Sequence, residues 1–212
     1  MLSIKQHIAA IRAHIPDNVT LVCVSKFHPV EAIREAYDAG ERDFGESRVQ
    51  ELCAKQPQLP ADIRWHFIGH LQTNKVKQIV PFVHLIQSVD SLHLLQVIET
   101  EAARINRVVN VLLEVHTAAE TTKSGFLPEE LQTISPDAFQ HVNICGLMTM
   151  ATNTDDEQEI RRCFRIVKQL KLDHARYVTV SYGMSDDYLI AIEEGSNMVR
   201  IGSAIFGERI YT

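Results

Sequence analysis

Lys26 is the side chain whose type and position most directly suggest chemistry. It directly follows Leu21-Val22-Cys23-Val24-Ser25, an apolar, partly β-branched run that reads as a buried strand. A lysine delivered to the end of such a strand is partly desolvated, which lowers the amine pKa and suits it to condense with a carbonyl. Taken alone, Lys26 leaves a second reading open, a strand-end lysine whose ammonium snorkels into water. Two further clusters bear on the choice. Gly183-Met184-Ser185-Asp186 and Gly202-Ser203 each follow a strand candidate, and both offer hydroxyls and approachable backbone N–H groups of the kind that hold a phosphate. Arg200 closes the last apolar strand, Asn197-Met198-Val199-Arg200-Ile201, where a cation needs a partner. That partner could be the ring nitrogen of a bound cofactor, or a carboxylate such as Glu46 or Glu208.

These residues need a scaffold that brings strand ends together, and the rest of the sequence describes one. The remaining strand candidates are 42–44, 64–68, 83–87, 108–115, 142–147 and 177–180. Helical stretches are expected over 30–39, 47–56, 73–80, from an N-cap at Asp90 or Ser91, and over 128–134, 155–172 and 186–194, with a short closing piece through Phe206. One more helix precedes the first strand. Near-continuous apolar strands predict a parallel sheet buried on both faces. Strict alternation of strand and helix leaves the open doubly wound sheet and the closed barrel. Eight units without a dinucleotide fingerprint favour an α/β fold of the (β/α)8 barrel type with an extra N-terminal helix, in which ligands sit at the C-terminal ends of the strands. The phosphate clusters then lie after strands 7 and 8, where such barrels often bind phosphate.

Bulk properties narrow the class. The chain has 212 residues, 45% of them hydrophobic, and a formal net charge of −6. It carries no linker or low-complexity tract, so one domain spanning 1–212 is expected. The charges are interspersed, unlike the basic stripe of a nucleic-acid binder. The most apolar run, 79–86, is broken by Pro81 and His84, so no membrane association is expected. Four cysteines lie far apart with no C-x-x-C pair, and the N-terminus does not resemble a signal peptide. A reducing, cytoplasmic setting follows as the expectation. His66 and His70 lack the helical spacing of a metal motif, and His66 reads as a polar residue of the barrel interior.

Ordered motifs then suggest a family. Val24-Ser25-Lys26, Phe44-Gly45-Glu46 with Val49-Gln50-Glu51, Trp65-His66-Phe67-Ile68-Gly69, Ser88-Val89-Asp90, Lys123-Ser124-Gly125, Gly146-Leu147-Met148, Gly183-Met184-Ser185 and the stretch from Met198 to Arg209 together resemble the pyridoxal-phosphate homeostasis proteins, a group of alanine-racemase-like barrels of PLP fold type III. The resemblance implies that pyridoxal 5′-phosphate (PLP) is the cofactor and that Lys26 is its Schiff-base lysine. It implies that Ser185, Gly202 and Ser203 hold the phosphate, and that Arg200 meets the pyridine nitrogen. Gly183, Met184, His66 and Ser47 complete the expected cofactor contacts. Ser47-Arg48 stands where many members have Asn-Tyr, Ser203 where a threonine is common, and Tyr182 where a methionine is usual.

The resemblance further implies a carrier in vitamin B6 homeostasis that holds PLP without substantial turnover, with PLP-dependent apoenzymes as candidate recipients. The alternative is a minimal PLP-dependent amino-acid racemase. Racemases of this fold use a tyrosine from a second domain as the opposite-face base. The sequence reaches Thr212 soon after the last barrel element, so that domain is expected to be absent and the protein monomeric. Tyr182 is the tyrosine expected near the mouth, but no sequence feature sets it over a substrate carbon.

Overall fold

The computed structural model describes residues 2–120 and 124–207. Eight parallel strands close into a barrel in sequence order: β1 (Thr20–Val24), β2 (Asp43–Glu46), β3 (Arg64–Phe67), β4 (Leu85–Val89), β5 (Val109–Glu114), β6 (Val142–Met148), β7 (Thr179–Ser181) and β8 (Met198–Ile201). β8 pairs with β1 over four positions, from Thr20 opposite Met198 to Cys23 opposite Ile201. That pairing closes the sheet and sets the end of β8, with Arg200, beside the end of β1, with Lys26.

Eight α-helices accompany the strands among the described residues: α1 (Ile4–Arg12), α2 (Val30–Asp38), α3 (Val49–Lys55), α4 (Val76–Ile79), α5 (Leu92–Arg104), α6 (Glu157–Asp173), α7 (Tyr188–Glu193) and α8 (Ser203–Phe206). α1 starts on a capping box, in which Ser3 and Gln6 each accept a hydrogen bond from the other's backbone N–H. α5 is capped by Ser91 and α6 by Asp156. Four expected helices are shorter than their sequence pattern, among them 186–194, which is helical only over Tyr188–Glu193. The stretch 47–56 is helical only from Val49, because Arg48 is extended. The stretch 73–80 opens as a 3-10 turn, Thr73–Lys75, before one turn of α4. The stretch 128–134 gives only a 3-10 turn, Glu130–Thr133, since so short a segment gains few hydrogen bonds for the residues it must order.

Two apolar cores result. The larger lies between strands and helices and includes Leu21, Cys23, Phe44, Trp65, Phe67, Ile86 and Val199. The smaller, Val22, Leu85, Leu112, Met148 and Met198, comes from the alternate strand positions and fills the barrel itself. That inner core leaves room for a file of polar side chains. No helix among the described residues is long and apolar enough to cross a membrane.

Candidate functional site

A cavity of about 230 Å3 opens at the C-terminal ends of the strands. Its lining includes Lys26 after β1, Met184 and Ser185 after β7, Arg200 on β8, and Gly202 and Ser203 after β8. Six of the predicted residues therefore converge on one cavity, although they come from opposite ends of the chain. Val24, Ile68 and Met150 add apolar surface.

Arg200 is 4% exposed and forms no ion pair with Glu46. Glu46 is instead taken by Lys55, at 2.7 Å, because it points outward between β2 and α3, whereas Arg200 points into the barrel. Glu208 lies outside the described residues. The guanidinium donates from Nη1 to Ser181 O (2.8 Å) and Ser181 Oγ (2.7 Å), and from Nη2 to Thr149 O (3.0 Å). A guanidinium has five N–H donors, so these three bonds leave two without a partner among the described residues. Burial lowers its pKa to about 10 against the opposing pull of Asp187 and Glu114, so it remains cationic at neutral pH.

Behind Arg200 a hydrogen-bond chain runs down the barrel axis. Ser181 Oγ donates to Gln87 Oε1 at 2.7 Å. Gln87 Nε2 lies 2.9 Å from His66 Nδ1, and His66 Nε2 lies 2.9 Å from Asp43 Oδ1. Burial opposes ionisation of Asp43, but hydrogen bonds from Arg64 and His66 outweigh it and hold the carboxyl well below the usual range. An ionised carboxylate only accepts, so His66 carries its proton on Nε2 and accepts from Gln87 through Nδ1. His66 is thus an interior polar residue, as its strand position suggests, and is not among the side chains lining the cavity.

The phosphate-type cluster is assembled by two turns. Gly183 has φ +98°, a backbone region that favours glycine, and its carbonyl accepts from Arg200 N at 2.9 Å. Asp187 Oδ1 accepts from Met184 N at 2.6 Å and shapes the loop that presents Ser185. Ser185 Oγ and Ser203 Oγ are 3.0 Å apart, with Ala204 N 3.5 Å from Ser185 Oγ. Gly202 has no side chain to cap α8, so the Ser203 amide adds a donor beside the two hydroxyls, while the Ala204 amide points at Ser185 Oγ. Gly183 supports this wall without lining it, and Ser47 is half-buried and also outside the lining.

Lining residues that were not among the expected cofactor contacts include His28, Ile68, Met150 and Asp186. His28 is two residues past Lys26, is 7% exposed and stacks on Phe206 at 5.1 Å between ring centroids. Tyr182 is not at the mouth. It is fully buried, its ring stacks on Phe164 at 4.7 Å, and its hydroxyl donates to Glu194 O at 3.1 Å. Its position directly after β7 turns the side chain outward to α6, and burial pushes the phenol pKa up. Ser124 Oγ donates to Glu114 Oε1 at 3.2 Å, while Lys123 lies outside the described residues.

The donor set is coherent for a flat, phosphorylated carbonyl compound: an amine, a buried cation with spare donors, a hydroxyl-and-amide cluster, and apolar surface between them. Comparison with known proteins agrees. The alanine racemase N-terminal domain family matches residues 2–210. A pyridoxal phosphate homeostasis protein of Aquifex aeolicus is 41% identical over 199 residues, covering 90% of this chain and 87% of that protein. PipY of Synechococcus elongatus, solved without and with PLP bound, superposes with TM-scores of 0.91 and 0.87 at 36% and 35% identity, covering 97% of this chain and all of PipY. An alanine racemase of Clostridium difficile shares the fold at a TM-score of 0.83 and 14% identity, this chain spanning 56% of its length. The chain belongs to the alanine racemase N-terminal domain family and, within it, to the pyridoxal phosphate homeostasis proteins.

Proposed function

We propose that this protein binds PLP in the cavity at the strand ends, holds it as a Schiff base on Lys26, and serves as a PLP carrier in vitamin B6 homeostasis without substantial turnover. The observation that carries this reading is the convergence of Lys26, Arg200 and the Ser185–Ser203 pair on one cavity. When bound, PLP supplies an aldehyde that condenses with an amine and a ring able to accept electron density. Ser185, Ser203 and the first amides of α8 would hold the phosphate, with Gly202 and Met184 beside them. The spare N–H donors of Arg200 would meet the ring nitrogen. A cationic donor there disfavours protonation of that nitrogen, which weakens the ring as an electron sink. His66 would act through Gln87 and Ser181 by orienting Arg200, and Ser47 from the rim.

The position of Tyr182 favours a carrier over a racemase that uses a tyrosine as its opposite-face base. Among the described residues no tyrosine lines the cavity, and the Tyr182 hydroxyl is bonded to Glu194 on the far side of β7. Four cysteines without disulfides fit a cytoplasmic setting, and PLP-dependent apoenzymes are the recipients that a carrier implies.

The test is the visible absorption spectrum of purified protein with and without added PLP, for the native chain and Lys26→Ala. A Schiff-base band in the native protein that is missing from Lys26→Ala is expected. The same spectrum from both proteins would remove Lys26 from the reading.

A further inference from the structure

Lys26 sits in a turn that a buried charge cluster holds from behind. His28 N donates to Ser25 O at 3.1 Å, closing a four-residue turn in which Lys26 is second and Phe27 third. Phe27 has φ +66°. The third position of a type II turn requires positive φ and normally takes glycine, because a Cβ is disfavoured there. A phenylalanine at that position needs outside support, and four residues, Glu46, Arg48, Glu51 and Lys55, provide it.

Glu51 Oε1 accepts from Phe27 N at 2.6 Å, fixing the peptide between Lys26 and Phe27. Lys55 Nζ donates to Glu51 Oε1 (2.6 Å), Glu46 Oε1 (2.7 Å) and Ser25 O (2.9 Å), so all three ammonium hydrogens are committed. Ser25 Oγ donates to Glu46 Oε1 at 2.6 Å. The backbone on both sides of Lys26 is therefore tied to one cluster, at Ser25 O and at Phe27 N. Lys55 is 7% exposed and Glu46 is fully buried, so the Lys55–Glu46 bond is shielded from water, while Glu51 is half-buried. From the other side, the Arg48 guanidinium lies over the Phe27 ring, 4.6 Å from its centroid.

We infer that Glu51 and Lys55 are positioning residues for Lys26: their ion pair, anchored on buried Glu46, holds the left-handed Phe27 turn that aims the Lys26 amine into the cavity. The inference deepens the functional reading above and rests on it for the identity of the reactive amine. Neither residue touches the cavity, and neither replaces Lys26 as a nucleophile. Their role is to spare Lys26 the search among backbone orientations that a turn with an unfavourable residue would otherwise make.

The experiment is a double-mutant cycle between Glu51→Ala and Phe27→Gly, with Glu51→Gln as the conservative variant and thermal melts as the check on folding. Two readouts are taken: hydrogen exchange of the Phe27 amide without cofactor, and the rate at which borohydride fixes PLP to Lys26, read by peptide mass. Glu51→Ala is expected to speed Phe27 exchange and slow labelling by about tenfold, the order expected for loss of a charge-assisted hydrogen bond. Glu51→Gln, which keeps an acceptor, should recover much of both. In the Phe27→Gly background, where glycine takes positive φ unaided, the labelling deficit should shrink. A purely structural role would give the same deficit in both backgrounds, and that result overturns the inference, as does native-like Phe27 exchange in Glu51→Ala. Failure of the native chain to take PLP on Lys26 is a separate result that overturns the functional reading. The clamp is then decided by Phe27 exchange alone.

Discussion

Two buried carboxylates on β2 are held in opposite ways. Glu46 is fully buried, and burial pushes its pKa up to about 7 against the pull of Lys55 and Ser25, while its Oε2 has no hydrogen-bond partner. Asp43, paired with Arg64 and His66, is held below the usual range. The signs follow from linkage. Glu46 keeps its proton in the folded state to higher pH than in the unfolded chain, so its contribution is complete below about pH 4.5. It is lost as pH rises to about 7. Asp43 does the reverse: its contribution is present above the unfolded value near 3.9 and is lost as pH falls toward the depressed folded one. Urea midpoints measured from pH 3 to 8 should therefore show Glu46→Gln flattening the slope between about 4.5 and 7 and Asp43→Asn flattening the acid limb. Unchanged slopes in both variants would contradict these assignments. Neither sign is readable from the sequence, because a Glu and an Asp three positions apart on one strand look alike until their partners are known.

At the scale of elements, strands were easier to read than helices, for a physical reason. Leu21-Val22-Cys23-Val24 is apolar on both faces, and β5 carries the unbroken apolar run Val111-Leu112-Leu113, because helices cover one face and the barrel interior the other. The segments around 73–80 and 128–134 have helical composition but give 3-10 turns or one turn of helix. Their length is set by the gap between strand ends, which no local pattern encodes. A related feature is Gly146 in β6, at the register shift between Val111 and Leu112 of the partner strand. A Cβ built there would lie 1.8 Å from Thr179 O of β7. Gly146→Ala must therefore push β6 and β7 apart, at a cost of at least about 2–3 kcal/mol by the usual scale of core overpacking. Equilibrium urea unfolding should show that loss, and a variant as stable as the native protein would mean that the strands separate freely here.

Carrier and racemase differ at the scale of the whole molecule. A racemase needs proton donors and acceptors on both faces of a substrate carbon. The carrier reading therefore predicts negligible racemisation across a panel of amino acids by protein that shows the Schiff-base band. Brisk turnover would refute it, and loss of that turnover in Lys26→Ala would then establish the racemase alternative. A monomer is expected by light scattering, and a stable dimer would direct attention to residues reaching the cavity from a second copy.

The sequence by itself determined the alternation of strands and helices, favoured the closed barrel over an open sheet, and set the strand ends at which Lys26, Ser185, Arg200, Gly202 and Ser203 stand. Those are local facts, carried by apolar periodicity and by residue types that are costly or unusual where they occur. Tertiary structure alone decided the partners. Arg200 meets Ser181 and Thr149 rather than a carboxylate, His66 stands between Asp43 and Gln87, Tyr182 faces α6, and Lys55 ties down the turn of Lys26. Each of these depends on which way a side chain points from a strand that curves into a barrel. Alternation tells one face from the other, but only closure of the sheet brings residues from distant strands within hydrogen-bond range.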